Sequence, residues 1–302
     1  MDDRLVLFMR LLYHLASNCR SYVMIQSQSV NYSLAPTEMD KMYSIERKSE
    51  ILKILEQNGR IGVNELSTLF NSSRETIRRD LREMEEKGLL KRTHGGAVFE
   101  STFSITTPEF PVGVREIQRF KEKDAICKTA AAFIKNGDSI FVDNSSTCLF
   151  LVQYIPADFQ ITLITNSIKL LIESMESKHA KLMIICLGGF FNGSNLSTYG
   201  TISQKNAADF YPNKSFMSCA GIHPSDQLTD SSILEVDTKR LMIERSQEVF
   251  ILADYTKFDR SGPFFLSNHS SIDYLITDQK AKPDQYAPLE KSGVKIVRTQ
   301  VG

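Results

Sequence analysis

Apolar positions between residues 44 and 99 keep a helical rhythm that stops and restarts. Ile45, Ile51, Leu52 and Leu55 recur at helical spacing until Asn58-Gly59, which predicts a helix ending at that pair. Residues 60–63 (RIGV) read as a short extended bridge. Asn64 is expected to cap a second helix with Leu66, Leu69 and Phe70 inward. After a turn at Asn71-Ser72, Ser73 caps a third helix whose Ile77, Leu81 and Met84 face inward at i, i+4, i+7, up to Lys87-Gly88. Residues 89–94 and 97–99 flank Gly95-Gly96 and predict a two-stranded wing, with Leu90 and Val98 packed inward. Helix, tight turn, helix and wing together predict a winged helix-turn-helix over residues 44–99.

Residues 100–114 lose all periodicity and are rich in Ser, Thr and Pro, as in a linker. From 115 to 302, short apolar runs alternate with helical patterns. Residues 138–143, 161–165, 182–187, 215–220, 249–253, 274–277 and 294–297 read as strands; 116–135, 148–154 and 234–246 read as helices. Strands apolar throughout and separated by helices imply an α/β domain, its mostly parallel sheet covered on both faces. Ligands of such sheets bind at the carboxyl ends of the strands. At the other end of the chain, residues 1–43 read as an extension of doubtful order, with Met42 as an alternative start. Residues 5–16 (LVLFMRLLYHLA) are too short to span a bilayer and carry Arg10 and His14; Asp2 and Asp3 stand where a secretory signal wants positive charge. No membrane partner is expected.

Composition narrows the chemistry. Lys plus Arg number 36 and so do Asp plus Glu, so no global field attracts a charged partner and any anion site must be local. Five widely spaced cysteines suit a reducing cytoplasm, with no disulfide frame. The histidines are scattered and no C-x-x-C occurs, so neither a metal nor a cofactor is expected.

Candidate chemistry falls into two groups. On the third helix, Ser73, Arg74, Thr76, Arg78 and Arg79 lie mostly away from Ile77 and Leu81, where a recognition helix meets base edges and phosphates of double-stranded DNA. On the wing, Lys91, Arg92 and His94 would sit beside the backbone. Residues 44–98 hold eleven Lys/Arg and nine Asp/Glu, a net of 11 − 9 = +2, so asymmetry matters more than total. The bland alternative is a solvated helix face, which Arg82, Glu83, Glu85 and Glu86 would also suit.

The second group sits at strand ends. Asp143, Ser145, Ser146 and Thr147 form a strand-to-helix turn with N–H groups and hydroxyls suited to phosphate. Asn166 and the pair Gly188-Gly189 end the next two strands. Glu235 with Lys239, and Asp254 with Lys257, add charge; each pair is as compatible with a surface or turn role as with ligand contact. Capped turns are ordinary one at a time, and convergence at one sheet edge strengthens them.

The stretch 47–97, above all "TIRRDL" followed by "GLLKRTHGGA", closely resembles the DeoR family of bacterial transcriptional regulators. The larger domain resembles the same family through "EKDAICKTAAAFIKNGDSIFVDNSST", "LITNS", "LGG", "AGI", "LTD", "EVDTKRLMI" and "LADYTKFDR". Two positions depart from it: Ser145 and Gln227 stand where glycine is common. The resemblance implies a fold like ribose-5-phosphate isomerase, a phosphorylated-sugar effector, and no catalysis. The expected function is a repressor of sugar or related carbon metabolism genes, acting as a homo-oligomer, dimer or larger, on paired sites. The alternative is a sugar-phosphate isomerase-like enzyme fused to a DNA-binding module, with Asp143, Glu235 or Asp254 supplying the carboxylate for proton transfer.

Overall fold

The structure, a computed structural model, describes residues 38–99, 110–175 and 181–301. The expected extension therefore lies outside the described residues up to position 37, and so do residues 100–109 of the expected linker.

The amino-terminal part is built from α1 (Glu38–Asn58), β1 (Arg60–Gly62), α2 (Val63–Leu69), α3 (Arg74–Glu86), β2 (Lys91–Thr93) and β3 (Gly96–Val98). Helix α1 begins before Ser44 and runs through it without a break. Helix α2 starts one residue ahead of the expected Asn64 cap: Gly62 is its N-cap and makes no side-chain hydrogen bond. That start puts Val63 and Leu66 into the core and leaves Leu69 exposed, contrary to its expected inward place. Ser73 does cap α3, its Oγ accepting from Thr76 N at 3.1 Å. Ile77, Leu81 and Met84 are buried on α3, and so is Asp80.

The expected two-stranded wing is a three-stranded sheet in the order β1-β3-β2, because the bridge at residues 60–62 pairs antiparallel with β3. Its turn is His94-Gly95, while Gly96 already belongs to β3. A Cβ on Gly96 would stand 2.0 Å from Ile61 O, so only glycine lets β1 approach this closely.

The carboxyl-terminal part holds one seven-stranded sheet, in which every pair of neighbours is parallel. Its strands are β4 (Ser139–Val142), β5 (Ile161–Thr165), β6 (Leu182–Cys186), β9 (Lys214–Met217), β12 (Glu248–Leu252), β14 (Tyr274–Asp278) and β15 (Lys295–Thr299), in the order β15-β14-β12-β9-β4-β5-β6. Alternate residues divide between two cores. Ile140 and Val142 pack with α5 (Phe120–Ala131); Phe141 packs with residues of α8 (Val236–Arg245) and α9 (Pro283–Lys291). From β4 the sheet grows one way through β5 and β6, and from β9 the other way through β12, β14 and β15. The gap between the ends of β4 and β9 is thus a topological switch point, where open parallel sheets bind ligands.

Four smaller elements flank it. They are α6 (Ile168–Met175), the hairpin β7 (Phe190–Asn192) and β8 (Ser197–Tyr199), α7 (Thr201–Ala208), and an antiparallel sheet of β10 (Gly221–His223), β11 (Gln227–Asp230) and β13 (Phe264–Asn268). Two helices differ from expectation. Residues 148–154 form two 3-10 turns, Cys148–Phe150 and Val152–Tyr154. The helix expected over 116–135 is shortened to α5: residues 116–119 form a turn that follows a separate short helix, α4 (Val112–Arg115), and ends at Arg119, whose φ of 54° is left-handed. The break has a packing reason: Ile117 joins the winged-helix core while Phe120 joins the sheet's core. Among the described residues no helix is long and apolar enough to cross a membrane.

Candidate functional site

On the first candidate surface, Ser73, Arg74, Arg78 and Arg79 are exposed at the start of α3, and Thr76 is half-buried behind the cap. Lys91, Arg92 and His94 are exposed on the wing. Two arginines are partly committed. Arg92 Nε donates to Glu85 Oε2 at 2.7 Å, and Arg78 Nη1 lies 3.7 Å from Glu75 Oε2. Arg78, Arg92 and His94 line one groove between α3 and the wing, so helix and wing residues face a common space. The presentation of α3 rests on a residue that periodicity did not single out. Asp80, buried at its inner edge, accepts from Arg47 Nε of α1 at 2.5 Å and lies 3.9 Å from Lys48 Nζ. A polar residue at i+3 from Ile77 and i−4 from Met84 was the available signal.

The second site is a cavity of about 330 Å³ at the switch point. The turn after β4 supplies Asn144, Ser145, Ser146 and Thr147; the end of β9 supplies Ser218 and Cys219; Asp254 and Lys257 follow β12. Asp143 shapes the turn from beneath. Its fully buried carboxylate accepts from Ser145 N at 3.0 Å and Ser218 N at 3.1 Å, so it ties the ends of β4 and β9 together. The N–H groups of Ser146 and Thr147 make no hydrogen bond to a protein acceptor among the described residues.

Glu235 and Lys239 do not pair with one another. Lys239 Nζ contacts Asp143 Oδ2 at 3.1 Å and Asp230 Oδ2 at 2.5 Å, and donates to Ser218 O at 2.7 Å. Burial alone would lower its pKa, but Asp230 and Asp143 outweigh that and hold it above the usual lysine value. Glu235 accepts from Asn144 Nδ2 at 2.8 Å, from Asn192 and Asn195, and from Ser197 Oγ. Both pairs of contacts are structural struts as well as cavity walls.

Asn166, Gly188 and Gly189 are not in the lining. Asn166 Nδ2 donates to Asn144 Oδ1 at 3.3 Å and so stands directly behind the turn. The glycines follow β6, where a Cβ on Gly189 would meet Tyr199 O.

Sequence reasoning missed much of the cavity's charge. Arg115, Arg119, Lys123 and Arg260 line it with Lys239 and Lys257, against the acids Asp230, Glu235 and Asp254. The side chains of Arg119, Lys257 and Arg260 make no hydrogen bond or ion pair among the described residues. Lys123 is buried, and desolvation pushes its pKa down to about 7 against the pull of Asp254. Burial favours the neutral form of Asp254, yet Lys257 and Lys123 hold its pKa below the ordinary carboxylate value. Arg260 reaches the cavity because Gly221 permits a close pass: a Cβ there would sit 2.3 Å from Arg260 O. Arg119, Lys257 and Arg260, without hydrogen-bond partners of their own among the described residues, beside free N–H groups are suited to an anion.

Comparison with known proteins agrees with both halves. The DeoR-like helix-turn-helix domain matches residues 47–103, and the DeoR C terminal sensor domain matches residues 118–279. The HTH-type transcriptional regulator YulB of Bacillus subtilis is 34% identical over 255 residues, covering 84% of this chain and 96% of its own. This chain belongs to the DeoR family. It is a DNA-binding transcriptional regulator, with the DeoR helix-turn-helix joined to the family's sensor domain. GolR of Listeria innocua is 32% identical over 84% of this chain and 98% of its own, and the glycerol-3-phosphate regulon repressor of Escherichia coli is 28% identical over 78% and 92%. Among solved structures, ribose 5-phosphate isomerase A of Methanocaldococcus jannaschii overlays 45% of this chain and 52% of its own with a TM-score of 0.33 at 12% identity.

Proposed function

We propose that the protein is a repressor of sugar or related carbon metabolism genes that releases or rearranges on DNA when a phosphorylated sugar occupies the switch-point cavity. The observation that carries this reading is the convergence of the Ser145–Thr147 turn with Lys123, Arg119, Lys257 and Arg260 around a volume of about 330 Å³. That volume suits a small ligand, and the cations around it suit one that is anionic. The phosphate would take the N–H groups of Ser146 and Thr147, and the neighbouring cations would offset its charge. One relative is named for a glycerol-3-phosphate regulon, which favours the same ligand class.

In this reading residues 44–99 bind operator DNA, 100–114 connect, 115–302 sense, and 1–43 precede them. Ser73, Arg74, Thr76 and Arg79 meet the groove, while Arg78, Lys91, Arg92 and His94 meet phosphates. The protein works in the cytoplasm, as at least a dimer on paired half-sites. Gel-shift titration of DNA from upstream of its own gene against a panel of sugar phosphates tests the reading, and operator affinity indifferent to every member would sink the sensing half.

The enzymatic alternative has little to work with. Asp143, Glu235 and Asp254 are each engaged in hydrogen bonds that build the cavity. The reading is therefore of a binding site without turnover. Aldose–ketose assays on the purified protein would reveal any turnover, and its loss on changing one of these acids would restore the alternative.

A further inference from the structure

Residues 110–120 belong to three places at once. Val112 lies in the core of the sheet domain, whereas Val114 and Ile117 lie in the core of the winged helix. Between them, Arg115, Gln118 and Arg119 line the anion cavity. Further bonds fasten the segment on either side. On the winged-helix side, Lys87 Nζ donates to Gly113 O at 3.0 Å and lies 3.3 Å from Glu116 Oε1. On the sensor side, Val112 N donates to Ser194 O at 3.0 Å, Arg115 Nη2 to Asn195 Oδ1 at 2.9 Å, and Lys169 Nζ lies 2.8 Å from Glu116 Oε2.

The bond that matters most comes from Lys123. Its Nζ donates both to Ser146 Oγ of the β4 turn, at 3.1 Å, and to Arg115 O, the last residue of α4. One amino group therefore ties the anion-ready turn to the segment that is built into the winged-helix core. The peptide between them is held in a costly form, because Arg119 carries a left-handed φ of 54° in a non-glycine residue. A segment fastened at both ends and strained in the middle can hold two discrete arrangements.

We infer that Lys123 is a latch: an anion at the Ser145–Thr147 turn draws its amino group from Arg115 O onto the ligand, α4 and Arg119 rearrange, and Val114 and Ile117 carry the change into the winged helix. The inference rests on the reading of the cavity as an anion site and adds the route by which that site governs DNA binding. Coupling needs the ligand to bind the two arrangements differently, and the shared amino group supplies that difference.

Hydrogen exchange on the full-length chain, with and without inorganic phosphate, separates the two claims. Phosphate is expected to slow exchange at residues 144–148 and to speed it, by about fivefold or more, at 112–119 and in the helix at residues 74–86. Protection at 144–148 with no change at 112–119 or 74–86 would overturn the latch and leave the anion site standing. No protection at 144–148 at any phosphate concentration would remove the anion site and the latch with it.

Two variants test the route. Ile117→Ala and Glu116→Gln should both keep the protection at 144–148 and lose most of the response at 74–86. Exchange at 74–86 without phosphate reports whether Ile117→Ala keeps the winged helix folded, and Glu116→Gln opens no core. A full response in Glu116→Gln together with a folded, fully responsive Ile117→Ala would refute transmission through this segment.

Discussion

Lys123 shows how far burial can move a residue's chemistry. Its pKa in the folded chain, about 7, lies below the ordinary 10.5. Between those values the unfolded chain holds a proton that the folded chain releases, so this residue's contribution to stability rises with pH across that window and is least favourable below pH 7. Unfolding of the sensor domain should accordingly show Lys123→Met gaining ground on the wild type as pH falls from 9 to 6; a pH-independent difference would refute the shifted lysine. Binding an anion restores the reason to be charged. Calorimetry with sulfate at pH 8, an ion that does not itself titrate there, should register proton uptake that disappears in Lys123→Met. On the DNA surface the residue-scale expectation is simpler. Arg74→Ala or Arg79→Ala should each weaken operator binding by about 1–3 kcal/mol if the side chain reads a base, while Lys91→Ala should mainly flatten the salt dependence. Gel shifts at several salt concentrations distinguish these effects, and unchanged affinity in all three would remove the assigned face.

Elements were legible in the sequence where one neighbour decides them and illegible where two cores compete. Helix α3 was readable because Ser73 caps it locally and Ile77, Leu81 and Met84 all serve a single small core. The inner parallel strands were readable because both faces of the sheet are covered there, so most of their residues are apolar. The run 116–135 misled because its apolar residues serve different cores: Ile117 turns to the winged helix and Phe120 to the sheet, with the chain broken at Arg119. The cavity was half legible for a related reason. Its turn at 144–147 has a local signature, but Arg115, Arg119 and Arg260 reach it only through long-range packing, and surface arginines look alike in a sequence. The break itself is testable. At a left-handed position glycine escapes the Cβ clash, so Arg119→Gly should be more stable than Arg119→Ala by about 1 kcal/mol, the reverse of the order inside a helix. Thermal unfolding of the two variants measures it, and alanine as the more stable would contradict the left-handed assignment.

At the scale of the molecule the two edges of the seven-stranded sheet differ, and the difference bears on assembly. Strand β15 (KIVRT) carries Lys295 and Arg298, the charges that ordinarily protect an edge from pairing. Strand β6 (LMIIC) carries none, and among the described residues it has no partner on its outer side. Large apolar side chains are exposed on the elements around it: Ile172 and Met175 on α6, Met183 on β6, Phe190 and Phe191 on β7, and Ile202 at the start of α7. The proposed reading of paired half-sites calls for a second copy, and a sheet edge is self-complementary under a two-fold axis, since antiparallel pairing of β6 with itself brings no like charges together. We therefore expect β6 to be the subunit contact. Met183→Lys would place two lysines near that axis, where like charges facing each other across strands are destabilising. Sedimentation should then show a lighter species than the wild type, and operator affinity should fall with it because half-site binding loses its effective-concentration gain. Circular dichroism would confirm that the fold survives the change. An unchanged sedimentation coefficient would move the contact away from β6 and leave the exposed apolar edge to some other partner.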